Sequence, residues 1–258
     1  MLREFLLITA ISAWFAFEPA AQAQIINVQP LLAKEARPGV SAALEGALDW
    51  RTGNTSLLLG SASGVGRYCE GRHLLFALAR ADEGFSAGSR IVYKHLEHLR
   101  YRVDVLGHLQ AEVFGQFEQD QARRLWPRAL VGAGPRFAIV RTDTLDVAVA
   151  VAYMVEYQRL RAVGQADDNE QERAHRISSY VIVAWHMADV MKLGETVYVQ
   201  PRLGDGRDVR LLSESELLVT LQERLALKTA FTLAYDSRPP MSLQRLDTTM
   251  KTALQVSF

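Results

Sequence analysis

The segment DVAVAVAYMVEYQ, residues 146–158, restricts the fold more than any other feature of this chain. Val147, Val149, Val151, Tyr153, Val155 and Tyr157 fall on one side, and Asp146, Ala148, Ala150, Ala152, Met154, Glu156 and Gln158 on the other. Successive side chains of a strand point to opposite faces, whereas a helix would scatter those valines around its axis. The same two-residue period recurs at 40–51, 108–118, 176–187, 209–221 and 225–236. Turn signals separate the runs, among them Thr52-Gly53-Asn54, Glu70-Gly71, Gly204-Asp205-Gly206 and Pro239-Pro240.

The pattern predicts twelve strands, near 40–51, 55–67, 72–81, 89–103, 107–119, 124–140, 144–159, 174–187, 195–203, 208–221, 224–236 and 246–258. The second to fourth are the least regular. LLLG at 57–60 does not alternate, and in the fourth only 98–103 is clean. The longest connections, 160–174 and 237–245, follow the odd-numbered seventh and eleventh strands. An even strand number, with long and short connections at opposite ends, is the pattern of an outer-membrane barrel.

A soluble barrel would turn its apolar faces inward, and a membrane barrel outward. Here the charge-bearing face is rich in small residues (Ala148, Ala150, Ala152, Gly132, Gly134), which suits a crowded lumen. The apolar faces carry aromatics towards strand ends, Trp50, Tyr153, Tyr157, Trp185, Tyr235 and Phe258, as interfacial girdles do. The chain finishes on MKTALQVSF, an alternating strand with Leu254, Val256 and Phe258 on its apolar side. A terminus ordinarily frays; a closing strand of a barrel cannot. At the other end Arg3, the apolar run 5–17, Pro19 and Ala21-Gln22-Ala23 have the layout of a secretory signal peptide cleaved after Ala23. The expected fold is therefore all-β: a signal peptide over 1–23, then one closed antiparallel up-and-down transmembrane β-barrel over 24–258. Expected partners are the secretion translocase, the barrel-assembly machinery and outer-membrane lipid, with the protein a monomer.

The motifs HLRY (98–101), EVFGQFEQD (112–120) and RALVGAGPRF (128–137), the Glu156 strand, and AYDSRPP (234–240) followed by Asp247-Thr248-Thr249 resemble the domain of unknown function 481 family. The resemblance implies a Gram-negative outer-membrane protein; one member is described as salt-induced. Under the wider outer-membrane rule, the barrel-assembly machinery reads a last strand ending in an aromatic, here Phe258. The family implies a fold and a place, and no catalytic residues.

The 258 residues carry 29 Lys+Arg and 29 Asp+Glu, a net charge of +0 that excludes a basic nucleic-acid surface. Cys69 stands alone, so neither an internal disulfide nor a cysteine metal cluster is available. No cofactor or metal motif occurs, and no Ser/His/acid spacing marks a nucleophile. His98 and His108 are expected to sit across one turn on adjacent strands. The loop acids Asp167, Asp168, Glu170 and Glu172 read as a solvated loop.

The residues that stand out are charged ones on the inward face: Arg100, Glu112, Glu118, Arg128, Arg136 and Glu156. Buried charges need partners. The expectation is an Arg–carboxylate lattice in which Arg128 and Arg136 pair with Glu112, Glu118 or Glu156, giving a structural or narrow-pore protein. An outer-rim enzyme and a soluble periplasmic carrier are the alternatives.

Overall fold

The computed structural model describes residues 25–33, 38–188 and 190–256. The predicted leader with Ala21 and Ala23, and the terminal Phe258, lie outside the described residues. A short helix, α1 (Gln29–Ala33), precedes twelve strands: β1 (Gly39–Arg51), β2 (Leu57–Glu70), β3 (His73–Ser86), β4 (Ser89–Leu106), β5 (Leu109–Asp120), β6 (Leu125–Arg141), β7 (Leu145–Leu160), β8 (Gln171–Ala188), β9 (Met191–Arg202), β10 (Asp205–Gln222), β11 (Leu225–Asp236) and β12 (Leu246–Val256). Each pairs antiparallel with its chain neighbour, in the order β1 to β12.

Each predicted strand has its counterpart, and the irregular region explains itself. β3 runs five residues past its expected end at 81, where Asp82-Glu83-Gly84 breaks the apolar alternation. Its ladder to β4 holds it in the sheet regardless, from His73↔Val103 to Ser86↔Ser89.

The sheet curls around its charged face. Tyr180 on β8 donates to Glu112 on β5 at 2.6 Å, and Arg210 on β10 reaches Glu156 on β7 at 2.7 Å, although neither pair of strands is adjacent. The usual arrangement of a soluble core is inverted. Arg100, Glu112, Glu118, Arg128, Glu156, Arg176 and Arg210 are buried, while Leu44, Val113, Val131, Val151, Val181 and Met250 are exposed. Apolar residues point outward on all twelve strands, most exposed on the first and last: Leu44 is 90% and Met250 70% accessible. Among the described residues no helix is long and apolar enough to cross a membrane.

Connections sort by end. One end carries 52–56, 87–88, 121–124, 161–170, 203–204 and 237–245, all the longest connections among them; the other carries 71–72, 107–108, 142–144, 189–190 and 223–224, none longer than three residues. These are called below the long-loop and short-turn ends.

Two glycines on β6 are fixed by close approach. A Cβ on Gly134 would lie 2.0 Å from the Val151 carbonyl oxygen, and one on Gly132 would lie 2.5 Å from the Phe114 ring. The room between the β6 arginines is thus taken by β7 backbone and an aromatic ring. Gly134→Ala is expected to lower the unfolding free energy by about 1–3 kcal/mol, since the neighbour is backbone and cannot swing away. Gly66→Ala, with nothing within 4 Å, should leave it unchanged. Urea titration followed by gel mobility would read both.

Candidate functional site: the filled lumen

The long-loop half of the interior is an ion-pair lattice. Glu156 on β7 is its hub. It accepts from Arg128 of β6 (Nη2 at 2.5 Å, Nε at 2.9 Å) and from Arg210 of β10 (2.7 Å), with Arg176 of β8 at 3.6 Å. Arg210 also reaches Asp236 at 3.1 Å, and Arg176 reaches Asp208 at 2.9 Å. Glu118 on β5 meets Arg128 at 3.4 Å and Arg123, from the β5–β6 turn, at 2.9 Å. The guanidiniums of Arg123, Arg128, Arg176 and Arg210 are all 2% exposed or less. Period-two alternation alone delivers these residues inward; curvature brings β6, β8 and β10 onto one carboxylate.

Midway down, Glu112 on β5 takes Arg100 at 3.1 Å, Arg102 at 2.6 Å and the Tyr180 hydroxyl at 2.6 Å. Of the six inward charges singled out in the sequence, Arg128, Glu118 and Glu156 form one group, and Arg100 and Glu112 another. Arg136 joins neither. Its Nη1 donates to the neutral amide of Gln110 at 2.5 Å. The expected carboxylate for Arg136 is absent because the oxygens of Glu112 already accept from Arg100, Arg102 and Tyr180. Arg123, Arg176, Arg210, Asp208 and Asp236 are members that sequence reading passed over. Their sign was available: Arg176 and Arg210 lie on the charged face of their strands.

The short-turn half holds something unforeseen. Residues Ile25 to Ala33, ahead of β1, sit inside the curled sheet. Ile25 packs on Ala150, Tyr180, Tyr198, Leu212 and Ala234, and Val28 and Leu32 pack on Phe76. Polar residues tie the segment down: Asn27 donates to Glu214 at 2.7 Å, Gln29 donates to the Tyr198 hydroxyl at 3.2 Å, and Arg67 donates to the Leu31 carbonyl. Where this plug meets the lattice, the remaining cavity is about 20 Å³, bordered by Ile25, His98, Arg100 and Phe114. That is room for about one water. The sequence signal was the pair of apolar dipeptides Ile25-Ile26 and Leu31-Leu32 ahead of the first strand.

The long loops are not the solvated acids expected. Arg124 is buried at the centre of the long-loop end, where its Nη1 meets Asp167 and its Nη2 meets Asp168, both at 2.7 Å. It also donates to the Met241 carbonyl at 2.8 Å, and Met241 N–H donates back to Asp167. One guanidinium thus joins 121–124, 161–170 and 237–245. The loop acids are spent on a clamp because Arg124 presents a fork that two aspartates can share. Glu172 instead pairs with Arg202. His98 lies opposite Gln116 in mid-strand, and His108 sits in the β4–β5 turn rather than on the adjacent strand. On β12, Leu254 and Val256 face outward, opposite Leu227 and Leu225. Among the described residues no group of three His, Cys, Asp or Glu could hold a metal ion.

A family model described as "Protein of unknown function, DUF481" matches residues 45–258. The chain belongs to the DUF481 family. No curated protein matches it. Among solved structures, this DUF481 chain is similar to the translocator domain of the autotransporter NalP from Neisseria meningitidis. That likeness has 11% identity and a TM-score of 0.42, and covers 90% of this chain and 92% of that one. It is also similar to a chain solved in work on the mechanism of in-meso crystallization of membrane proteins, with 8% identity and a TM-score of 0.38, covering 85% and 83%.

Glu156→Gln leaves three guanidiniums around a neutral amide and should destabilise the fold by about 3–5 kcal/mol. Arg128→Met should cost a similar amount. Arg136→Met, which removes a charge without a carboxylate, should be neutral or stabilising. Equal losses for Arg128→Met and Arg136→Met in chemical unfolding would refute the distinction.

The loop clamp carries its own pH dependence. The Val163, Gly164 and Gln165 N–H groups and Arg124 hold the Asp168 carboxyl below its ordinary 3.8. Burial pushes Asp167 up, but the Met241 N–H and Arg124 outweigh it and leave the carboxyl lowered. A depressed carboxyl stabilises the folded state above its unfolded value and loses that contribution as pH falls through the folded value. The clamp should therefore hold at neutral pH and loosen only below about pH 4. Protease cleavage at 161–170, measured between pH 7 and pH 3, should rise only at the acidic end.

Proposed function

We propose that this DUF481 chain is an exported outer-membrane β-barrel whose β12 closes on β1, and whose interior is sealed rather than open. It works as a structural or at most very narrow barrel, with no chemistry of its own. It is a monomer inserted by the barrel-assembly machinery, with the long loops facing out of the cell and the plug entering from the periplasm. The observation that carries the reading is the inversion: charge and plug inside, valine, leucine and aromatic residues outside. In water that exterior would be a large apolar surface inviting aggregation; in lipid it is the favourable side. The same inversion argues against a soluble carrier.

The seal has two layers. The lattice fills the long-loop half, and the segment 25–33 obstructs the other. In planar bilayers the full chain should show no resolvable conductance steps. Removing 25–37 alone should still leave a nearly silent protein, because the lattice remains. Combining that deletion with Glu156→Gln and Arg128→Met should give steps. A stably conducting wild type would sink the sealed reading, and recovery of the protein in the soluble periplasmic fraction would sink the membrane reading.

A further inference from the structure

We propose that the short-turn mouth of the lumen is a binding site for a small oxyanion, centred on Arg136. A cavity of about 370 Å³ opens there, with Gln29 and Leu32 of the plug on one side and Arg102, Gln110, Arg136 and Asp146 on others. Arg136 is only 7% exposed. Among the described residues its one hydrogen bond is the Nη1 donation to Gln110, and its buried Nε has no acceptor.

Most of the surrounding acids have partners elsewhere, Glu70 among them, which accepts from the Tyr68 hydroxyl. Glu112 serves Arg100, Arg102 and Tyr180. Asp104 accepts from the Gln110 amide, which turns the Gln110 oxygen towards Arg136. Asp146 lies opposite Arg141 in the β6–β7 ladder, exposed to water. Arg102 stands on the same wall, with its guanidinium already on Glu112 and reaching Gln29 at 3.4 Å.

A desolvated guanidinium whose one hydrogen-bond partner is a neutral amide is costly, and Arg136, which carries a planar donor fork, lines the cavity. Carboxylate and phosphate oxygens match that fork in geometry as well as charge. The cavity is of the size that takes a small metabolite rather than a polymer. The ligand class is thus a small soluble molecule carrying a carboxylate or phosphate group, entering from the short-turn end. This goes beyond the sealed-barrel reading and does not depend on it: a barrel closed to ion flow can still bind at its mouth.

The test uses the full chain folded in detergent, titrated calorimetrically with inorganic phosphate and separately with succinate. Sodium chloride at matched ionic strength serves as the blank. Saturable one-site binding is expected for at least one anion, and the one that binds tells phosphate from carboxylate recognition. Arg136→Gln should weaken it at least tenfold. Arg136→Lys should weaken it several-fold, because an ammonium keeps the charge and loses the fork. Ala184→Phe, which fills the cavity wall and leaves Arg136 in place, should also weaken it. Arg207→Gln, on the exposed surface, should not. Unheated gel mobility checks that each variant is folded. Binding no stronger than the chloride blank, or equal binding by wild type, Arg136→Gln and Ala184→Phe, would overturn the site.

Discussion

The convergence of Arg128, Arg176 and Arg210 on Glu156 governs the rest of this structure. The three arginines come from alternate strands, β6, β8 and β10, and the carboxylate from β7. In a flat sheet these side chains would fan apart into water. They meet only if the sheet rolls around them. Taking such charges out of water is expensive, and their mutual attraction recovers that cost only when the geometry is good and the remaining hydrogen bonds are made. The lattice is therefore better understood as fixing which curvature and which register are allowed than as a store of stability. A one-residue slip of any of these strands would turn its arginine outward and leave Glu156 short of a partner.

That constraint explains the exterior. Once alternate residues are committed to a charged interior, the remaining half of each strand must face the other way, and it is there that the chain places its valines, leucines and aromatics. The lumen is finished at each end by different means. At the long-loop end one buried guanidinium, Arg124, binds two aspartates and a carbonyl from two other loops. At the short-turn end the filling is apolar, with Ile25, Val28 and Leu32 against aromatic and aliphatic walls.

The strand pattern was readable because alternation is a local property: each residue's face follows from its neighbour's. The inward direction of Arg100, Glu112, Glu118, Arg128, Arg136 and Glu156 was readable for the same reason. Pairing was not. Whether Arg136 has a carboxylate depends on how many other groups compete for Glu112, and Tyr180 competes from three strands away. The role of Asp167 and Asp168 was hidden likewise, since their partner Arg124 lies some forty residues earlier in the chain. The plug escaped because a short apolar stretch ahead of a first strand has no periodicity to read. Its destination is set by a cavity that exists only after the sheet has curled.

The two halves of the interior answer to different forces, and this makes them separable. Buried ion pairs are little screened by salt, and each arginine depends on others, so the lattice should give way as a unit or not at all. The plug is held one residue at a time. Ile25, Val28 and Leu32 bury their side chains against the walls, and hydrogen bonds made with Asn27, Gln29 and the Leu31 carbonyl fix its backbone. Because Gln29 faces Arg102 in the same cavity as Arg136, an anion bound there would lie directly against the plug rather than against the lattice.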